Sequence, residues 1–347
     1  MRVLVTGHEG YLGVVAVAAL QAAGHDVCGL DSGLFRRCTL GPEPPAIPAV
    51  QVDLREVAPE HLAGVEAILH LAALSNDPLG DLAPEITYDI NHAASVRLAR
   101  LARDVGVRRF LYASTCSVYG ARGGDDMLDE DARLAPVTPY AVSKVRVEED
   151  LCELADDHFT PVFMRNATAF GFSPRPRLDV VVNNLVATAL LTGVVRVLSD
   201  GTPWRPLVHA QDIAAAACAL LDAPADLVRA RAYNVGSDSE NHRVSTIAAL
   251  VADAVPGATV EITGESGGDP RSYRVDFGRI RREIPAFTPG WTVAEGARDL
   301  AQRFRDESLT ANGLDQTFIR LRWLRYLQEA GQIDDGLRWL PQREPTR

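Results

Sequence analysis

The chain has 347 residues, 47% of them hydrophobic and 23% charged, which are the proportions of an ordinary globular protein with one large domain or two modest ones. Its 46 acidic against 35 basic residues leave a net charge of -11, which argues against nucleic acid or an anionic membrane as the main partner, since both need a basic surface. Five widely spread cysteines without CxxC or Cys/His spacing argue against a disulfide framework or a metal site. The start on "MRVLVTG" leaves no room for a signal peptide, no apolar run reaches membrane-spanning length, and a cytoplasmic setting is the expectation.

The first element, "RVLVT" over 2–6, reads as a strand, followed by a helix over 11–23. Between them "GHEGYLG" places Gly7, Gly10 and Gly13 where a tight turn can bring backbone N–H groups against a pyrophosphate. A second strand, 25–31, ends on Asp31. A carboxylate there can accept from both adenosine ribose hydroxyls and would repel a 2′-phosphate, which favours NAD over NADP. Arg36 and Arg37 nearby pull the other way. The Pro-rich stretch 35–48 reads as a surface excursion.

Further strands are expected at 49–53, 66–72, 108–114 and 160–166, with helices at 86–104 and 138–157. Continuous apolar strands alternating with helices argue for a doubly wound parallel sheet, an α/β fold of Rossmann type. Beyond 167 the rhythm is irregular, although 211–223 reads as a helix and 232–236 as a strand able to return to the first sheet. The expected division is therefore a dinucleotide-binding domain, 1–167 plus about 206–236, and a smaller discontinuous α/β domain for substrate, about 168–205 and 237–347. The segment 264–276 reads as a loop entering a short strand, and the Arg- and aromatic-rich pattern 310–340 should pack on its own domain.

Two stretches carry chemistry. "ASTCSVYG" (113–120) puts Ser114, Thr115, Cys116 and Ser117 at the end of a buried strand, as either a self-satisfied turn or a set of hydrogen-bonding groups. "TPYAVSK" then sets Tyr140 and Lys144 four apart on one helical face. An ammonium beside a phenol stabilises the phenolate, so Tyr140 can take a proton from an alcohol while hydride leaves the same carbon.

Together "TGHEGYLG", Asp31, "VDL" (52–54), "HLAALS" (70–75), Asn91, "STCSVYG" and "YAVSK" resemble an extended short-chain dehydrogenase/reductase, in the NAD-dependent epimerase/dehydratase branch that acts on nucleotide-sugars. The resemblance spans essentially the whole chain. It implies NAD held by Gly7, Gly10, Tyr11, Leu12, Gly13 and Asp31. Asp53 and Leu54 would border the adenine, Leu71, Ala72 and Ala73 would line the cofactor, and Asn91 would support its pocket. Tyr140 would be the acid/base, Lys144 would hold the nicotinamide ribose, and Thr115 would bond the reacting hydroxyl. Where dehydratases of the family carry an Asp-Glu pair, this chain has Cys116-Ser117, which orient a substrate but do not readily drive loss of water. Cys116 is read as a buried inert thiol, with a proton shuttle as the other possibility.

For the nucleotide-diphosphate sugar the resemblance implies Asn183 and Arg205, with Thr168 standing where relatives usually have Asn; Ser75 is a further candidate, and Arg271 is either a second phosphate clamp, since an Arg fork suits phosphate oxygens, or a solvated surface arginine. His209 and Asp212 are read as structural. A homodimer through 86–104 and 138–157 is implied, with Leu98, Leu101, Val145 and Leu151 as candidate contacts. The leading function is an NAD-dependent nucleotide-sugar epimerase, most simply at C4. A 4-ketosugar reductase or sugar dehydrogenase is the alternative, and a dinucleotide sensor without catalysis ranks last.

Overall fold

Val3 and Val5 face one side of the first strand and Leu4 the other, and all three are buried. A strand with apolar residues on both faces has to lie between two helical layers. The computed structural model, which describes residues 1–75, 84–120, 126–264 and 271–341, shows that sandwich. Its main sheet has seven strands: β1 (Arg2–Thr6), β2 (Asp26–Asp31), β3 (Ala49–Gln51), β4 (Ala67–His70), β5 (Arg109–Thr115), β6 (Thr160–Asn166) and β7 (Arg231–Val235). They lie in the order β7-β6-β5-β4-β1-β2-β3, every pair parallel.

The longer helices are α1 (Tyr11–Ala22), α2 (Ala94–Asp104), α3 (Pro139–Leu154), α4 (Val181–Thr192), α5 (Ala210–Asp222), α6 (Val244–Ala254), α7 (Val293–Asp306) and α8 (Arg320–Glu329), and α1, α2, α3 and α5 supply the two layers. Val3, Val5 and Leu111 pack with Leu20 of α1 and Leu220 of α5. Leu4, Ile68 and Phe110 pack on the opposite face with Leu98 of α2 and Leu151 of α3. A third apolar cluster joins α4, α6, α7 and α8 around Phe170, Leu207 and Phe304.

The connection from β3 to β4 reverses the direction of sheet growth beside β1. Ligands of open α/β sheets bind at such a reversal, beyond the carboxyl ends of the strands.

Several expectations are met closely. β1 and β6 have the expected limits, and β7 returns to pair with β6, Tyr233 opposite Met164. The 310–340 region packs inward through Trp323, Leu324 and Leu327. Others need correction. The run 86–104 is not one regular helix, because Tyr88–Ala93 forms a π-helical turn before α2. The loop 35–48 is no mere surface excursion, since Leu34 just before it and Cys38 and Leu40 within it are buried. Of the four candidate dimer contacts, Leu98 and Leu151 are consumed inside the chain, where they pack beneath the sheet. Leu101 and Val145 are only half-buried. Among the described residues no helix is long and apolar enough to cross a membrane.

Candidate active site

A crevice of about 960 Å³ opens at the carboxyl edge of the sheet where the strand order reverses. The glycine turn forms its floor. Gly7 has φ +73° and its N–H donates to Leu30 at 2.8 Å. A Cβ there would stand 2.9 Å from the Ala72 nitrogen, and one on Gly13 would collide with the Gly7 carbonyl. Only bare backbone fits between β1, β4 and α1. Gly10 caps α1 without a side-chain hydrogen bond, and the first turn holds no acidic residue. The helix end therefore offers N–H groups and a positive dipole to an anion.

Asp31 lies beside this turn and accepts from Glu9 N at 3.1 Å and Gly33 N at 2.8 Å. Burial raises its pKa, and those two N–H bonds oppose the shift. A carboxylate has about four acceptor positions, so positions remain for two ribose hydroxyls. Arg36 donates to Glu9 at 2.8 Å and Arg37 to Gln332 at 3.3 Å. The two arginines that suggested a 2′-phosphate thus have partners of their own. A dinucleotide with a free ribose diol fits these residues.

Asp53 accepts from Arg55 Nη2 at 2.6 Å and caps the turn bearing Leu54. Leu71, Ala72 and Ala73 line the crevice wall. That wall is fixed from behind. Thr6 Oγ1 meets His70 Nδ1 at 2.6 Å, His70 Nε2 meets Ser95 Oγ at 2.8 Å, and Ala72 N donates to Thr6 Oγ1 at 3.3 Å. Burial, with Lys144 nearby, pushes the pKa of His70 down to about 3, so its ring is neutral. Asn91 is buried in the π-helical turn, where Oδ1 accepts from Leu74 N at 2.7 Å and Nδ2 donates to Leu74 O at 3.0 Å. It clamps the strand exit and does not itself line the crevice.

At the end of β5, Thr115 Oγ1 accepts from Ser117 N at 3.1 Å and caps a short 3₁₀ turn. That leaves the hydroxyl proton of Thr115, which lines the crevice, as a donor. α3 starts opposite it, capped by Thr138 and opened by Pro139. Tyr140 is the second residue of that helix, where the dipole favours a negative oxygen. Lys144 Nζ sits 5.7 Å from the Tyr140 ring centre and 4.5 Å from that of Tyr112. It donates to Ala113 O at 2.6 Å. Burial drops its pKa to about 7, against an opposing pull from Glu148. Glu148 is itself engaged by Arg165 at 2.7 Å.

The far side of the crevice carries Ser75, Thr168, Arg205 and Arg271. Arg205 donates to the Arg271 carbonyl, and Arg271 Nη1 donates to Ser117 Oγ at 3.1 Å. Two cations thus converge near the 115–117 turn. Arg177 and Asp179 also line this side; they are paired at 2.9 Å, and Arg177 donates to Ser75 Oγ at 2.9 Å. Sequence reasoning did not single out that pair, which lies in "SPRPRLD", just ahead of α4.

Two further candidate residues lie outside the crevice. Asn183 is wholly buried, accepting from Gly171 N at 3.0 Å and donating to Arg177 O at 3.1 Å. It is Asn184, one residue on, that lines the crevice. Cys116 is buried with Sγ 3.1 Å from Arg165 O, and burial drives its thiol pKa well up. It faces the apolar layer, as the inert reading expects. His209 stacks on Trp291 with ring centres 4.2 Å apart, and Asp212 accepts from Gly290 N at 2.8 Å. Both serve packing.

A cleft that can hold a dinucleotide against a Tyr–Lys pair belongs to NAD-dependent enzymes of the short-chain dehydrogenase/reductase class. The model of the NAD dependent epimerase/dehydratase family matches residues 3–236, more than half of the chain, and the protein is a member of that family. It is 29% identical to the UDP-glucose 4-epimerase of Mycolicibacterium smegmatis, with 89% of this chain and 100% of that one covered. Among solved structures it is similar to MoeE5 in complex with UDP-glucose and NAD (27% identity, TM-score 0.76, 89% and 100% covered). It is also similar to TunA, an NAD-dependent NDP-hexosamine 5,6-dehydratase (26% identity, TM-score 0.77, 88% and 98% covered).

Proposed function

We propose that the protein is an NAD-dependent nucleotide-sugar 4-epimerase acting on a UDP-hexose. The observation that carries this reading is the Tyr140–Lys144 pair facing Thr115 across a crevice whose strand end lacks the carboxylates needed to drive loss of water. NAD supplies the hydride acceptor and donor. Tyr140, with Lys144 and the start of α3 favouring its anionic form, removes the proton from the C4 hydroxyl and returns it. Thr115 donates to the same oxygen and holds it in line. Lys144 also fixes the nicotinamide ribose.

Arg205 and Arg271 clamp the diphosphate, since a guanidinium fork matches phosphate oxygens. Anchored there, the hexose can turn over between the two halves of the reaction while its nucleotide stays in place. Ser75 and Thr168 border the sugar, on the same side of the crevice as Arg205 and Arg271. The likeness to UDP-glucose 4-epimerases over nearly the full length supports this reading.

The test is to incubate the purified protein with UDP-glucose, without added reduced cofactor, and follow the sugar by NMR. Formation of UDP-galactose with no net reduced cofactor is the expected result. Reduced cofactor rising in step with an oxidised sugar would make it a dehydrogenase, and release of water a dehydratase.

A further inference from the structure

Arg320 is a buried cation that, among the described residues, has no carboxylate of its own: Asp179, whose charge it feels, is already paired with Arg177. The first residue of α8, Arg320 is 3% exposed and lines the crevice. Its Nη2 donates to Arg175 O at 3.2 Å, while Nη1 has no hydrogen-bond partner among the described residues. The two neighbouring arginines are paired, Arg175 with Glu43 at 2.8 Å and Arg177 with Asp179 at 2.9 Å. A guanidinium does not neutralise itself by losing a proton, and an unpaired buried charge is costly to keep. Such an arrangement is stabilised when an anion enters.

The surroundings identify which anion. The guanidinium stacks on Phe35 at 4.4 Å, four residues beyond the ribose-facing Asp31. On its other side Arg175 N donates to Ser173 Oγ at 3.2 Å, and Ser173 Oγ donates to Tyr11 O at 2.9 Å. Arg320, Phe35, Asp31 and the glycine turn line one crevice, and in this fold a dinucleotide's diphosphate lies at such a turn, beside the ribose carboxylate.

The C-terminal segment that delivers Arg320 is bolted to the same loop. Trp323 Nε1 donates to Leu34 O at 2.8 Å, and Trp339 Nε1 donates to Ser32 O at 2.7 Å. We propose that Arg320 is a ligand for the diphosphate of the dinucleotide and that the segment 319–340 is the clasp presenting it.

Calorimetric titration of cofactor-stripped wild type and Arg320→Met with NAD, ADP-ribose and adenosine tests this. The variant should bind NAD and ADP-ribose about tenfold to hundredfold more weakly, the range for a lost charge-assisted hydrogen bond, with adenosine unchanged. Without ligand it should melt no lower than wild type, because a buried charge without a counter-ion of its own is gone. Equal affinities for ADP-ribose, or an equal loss for adenosine, would overturn the assignment. Wild type failing to bind NAD would instead remove the dinucleotide reading on which the inference rests. Should Arg320→Met not fold, Arg320→Gln carries the same comparison, with the same outcomes for and against.

Discussion

Lys144 Nζ lies 5.7 Å from the centre of the Tyr140 ring while its own hydrogen bond runs to the Ala113 carbonyl at the end of β5. The helix carrying the phenol and the strand carrying Thr115 are thereby fastened together at the reacting centre. Tyr140→Phe removes the proton acceptor and leaves that fastening intact. Turnover should fall by about 10²–10⁴-fold, the usual weight of general acid–base catalysis, with NAD binding retained in a calorimetric titration. Turnover within a few-fold of wild type would remove Tyr140 from the chemistry.

The same ammonium leaves a mark on stability. In the folded protein Lys144 releases its proton near pH 7, far below the usual 10.5. Between those values the unfolded chain binds a proton that the folded one does not, so stability should rise with pH. The slope is at most about 1.4 kcal/mol per pH unit. Urea unfolding of the cofactor-free protein at pH 7 and 8.5 should show more of this rise in wild type than in Lys144→Met. Identical slopes would mean that the ammonium is not buried as described.

Two histidines act in the same sense at lower pH. Burial holds His209 neutral down to about pH 4, and burial with Lys144 nearby holds His70 neutral to about pH 3. An unfolded histidine takes up its proton near pH 6.5, so each group withdraws stability as pH falls from 6.5 to its folded value. The loss is at most about 1.4 kcal/mol per pH unit for each. The fall from pH 6.5 to 4.5 should be shallower in His209→Gln than in wild type, read again by urea unfolding.

Arg205 and Arg271 meet through the Arg271 carbonyl, and Arg271 reaches Ser117. Arg205→Ala and Arg271→Ala should each weaken UDP-glucose binding about tenfold to hundredfold, as for a lost charge-assisted hydrogen bond. NAD binding should not change. A fall in NAD affinity instead would place these arginines on the cofactor side.

Much of this was legible in the sequence because its causes are local. The glycine turn, Asp31 and the Tyr–Lys spacing each follow from one strand–turn–helix geometry, and the crevice collects them as expected. The return of β7 to the first sheet was also readable, from the short strand pattern "AYNVG" following a clear helix. What escaped depends on contacts between distant segments. Arg320 meets Arg175, 145 positions away, and Trp323 meets Leu34, 289 positions away. No periodicity within α8 reports such a partner. Asn183 and Asn184 differ by one step of helical phase, about 100°, and motif spacing alone did not separate the buried amide from the one facing the crevice.

In a 4-epimerase of this kind hydride leaves and returns to the same carbon. UDP-glucose carrying deuterium at C4 should yield UDP-galactose that keeps the deuterium at C4, in ordinary water and with no net reduced cofactor. Deuterium lost to solvent, or found on cofactor released into solution, would contradict it.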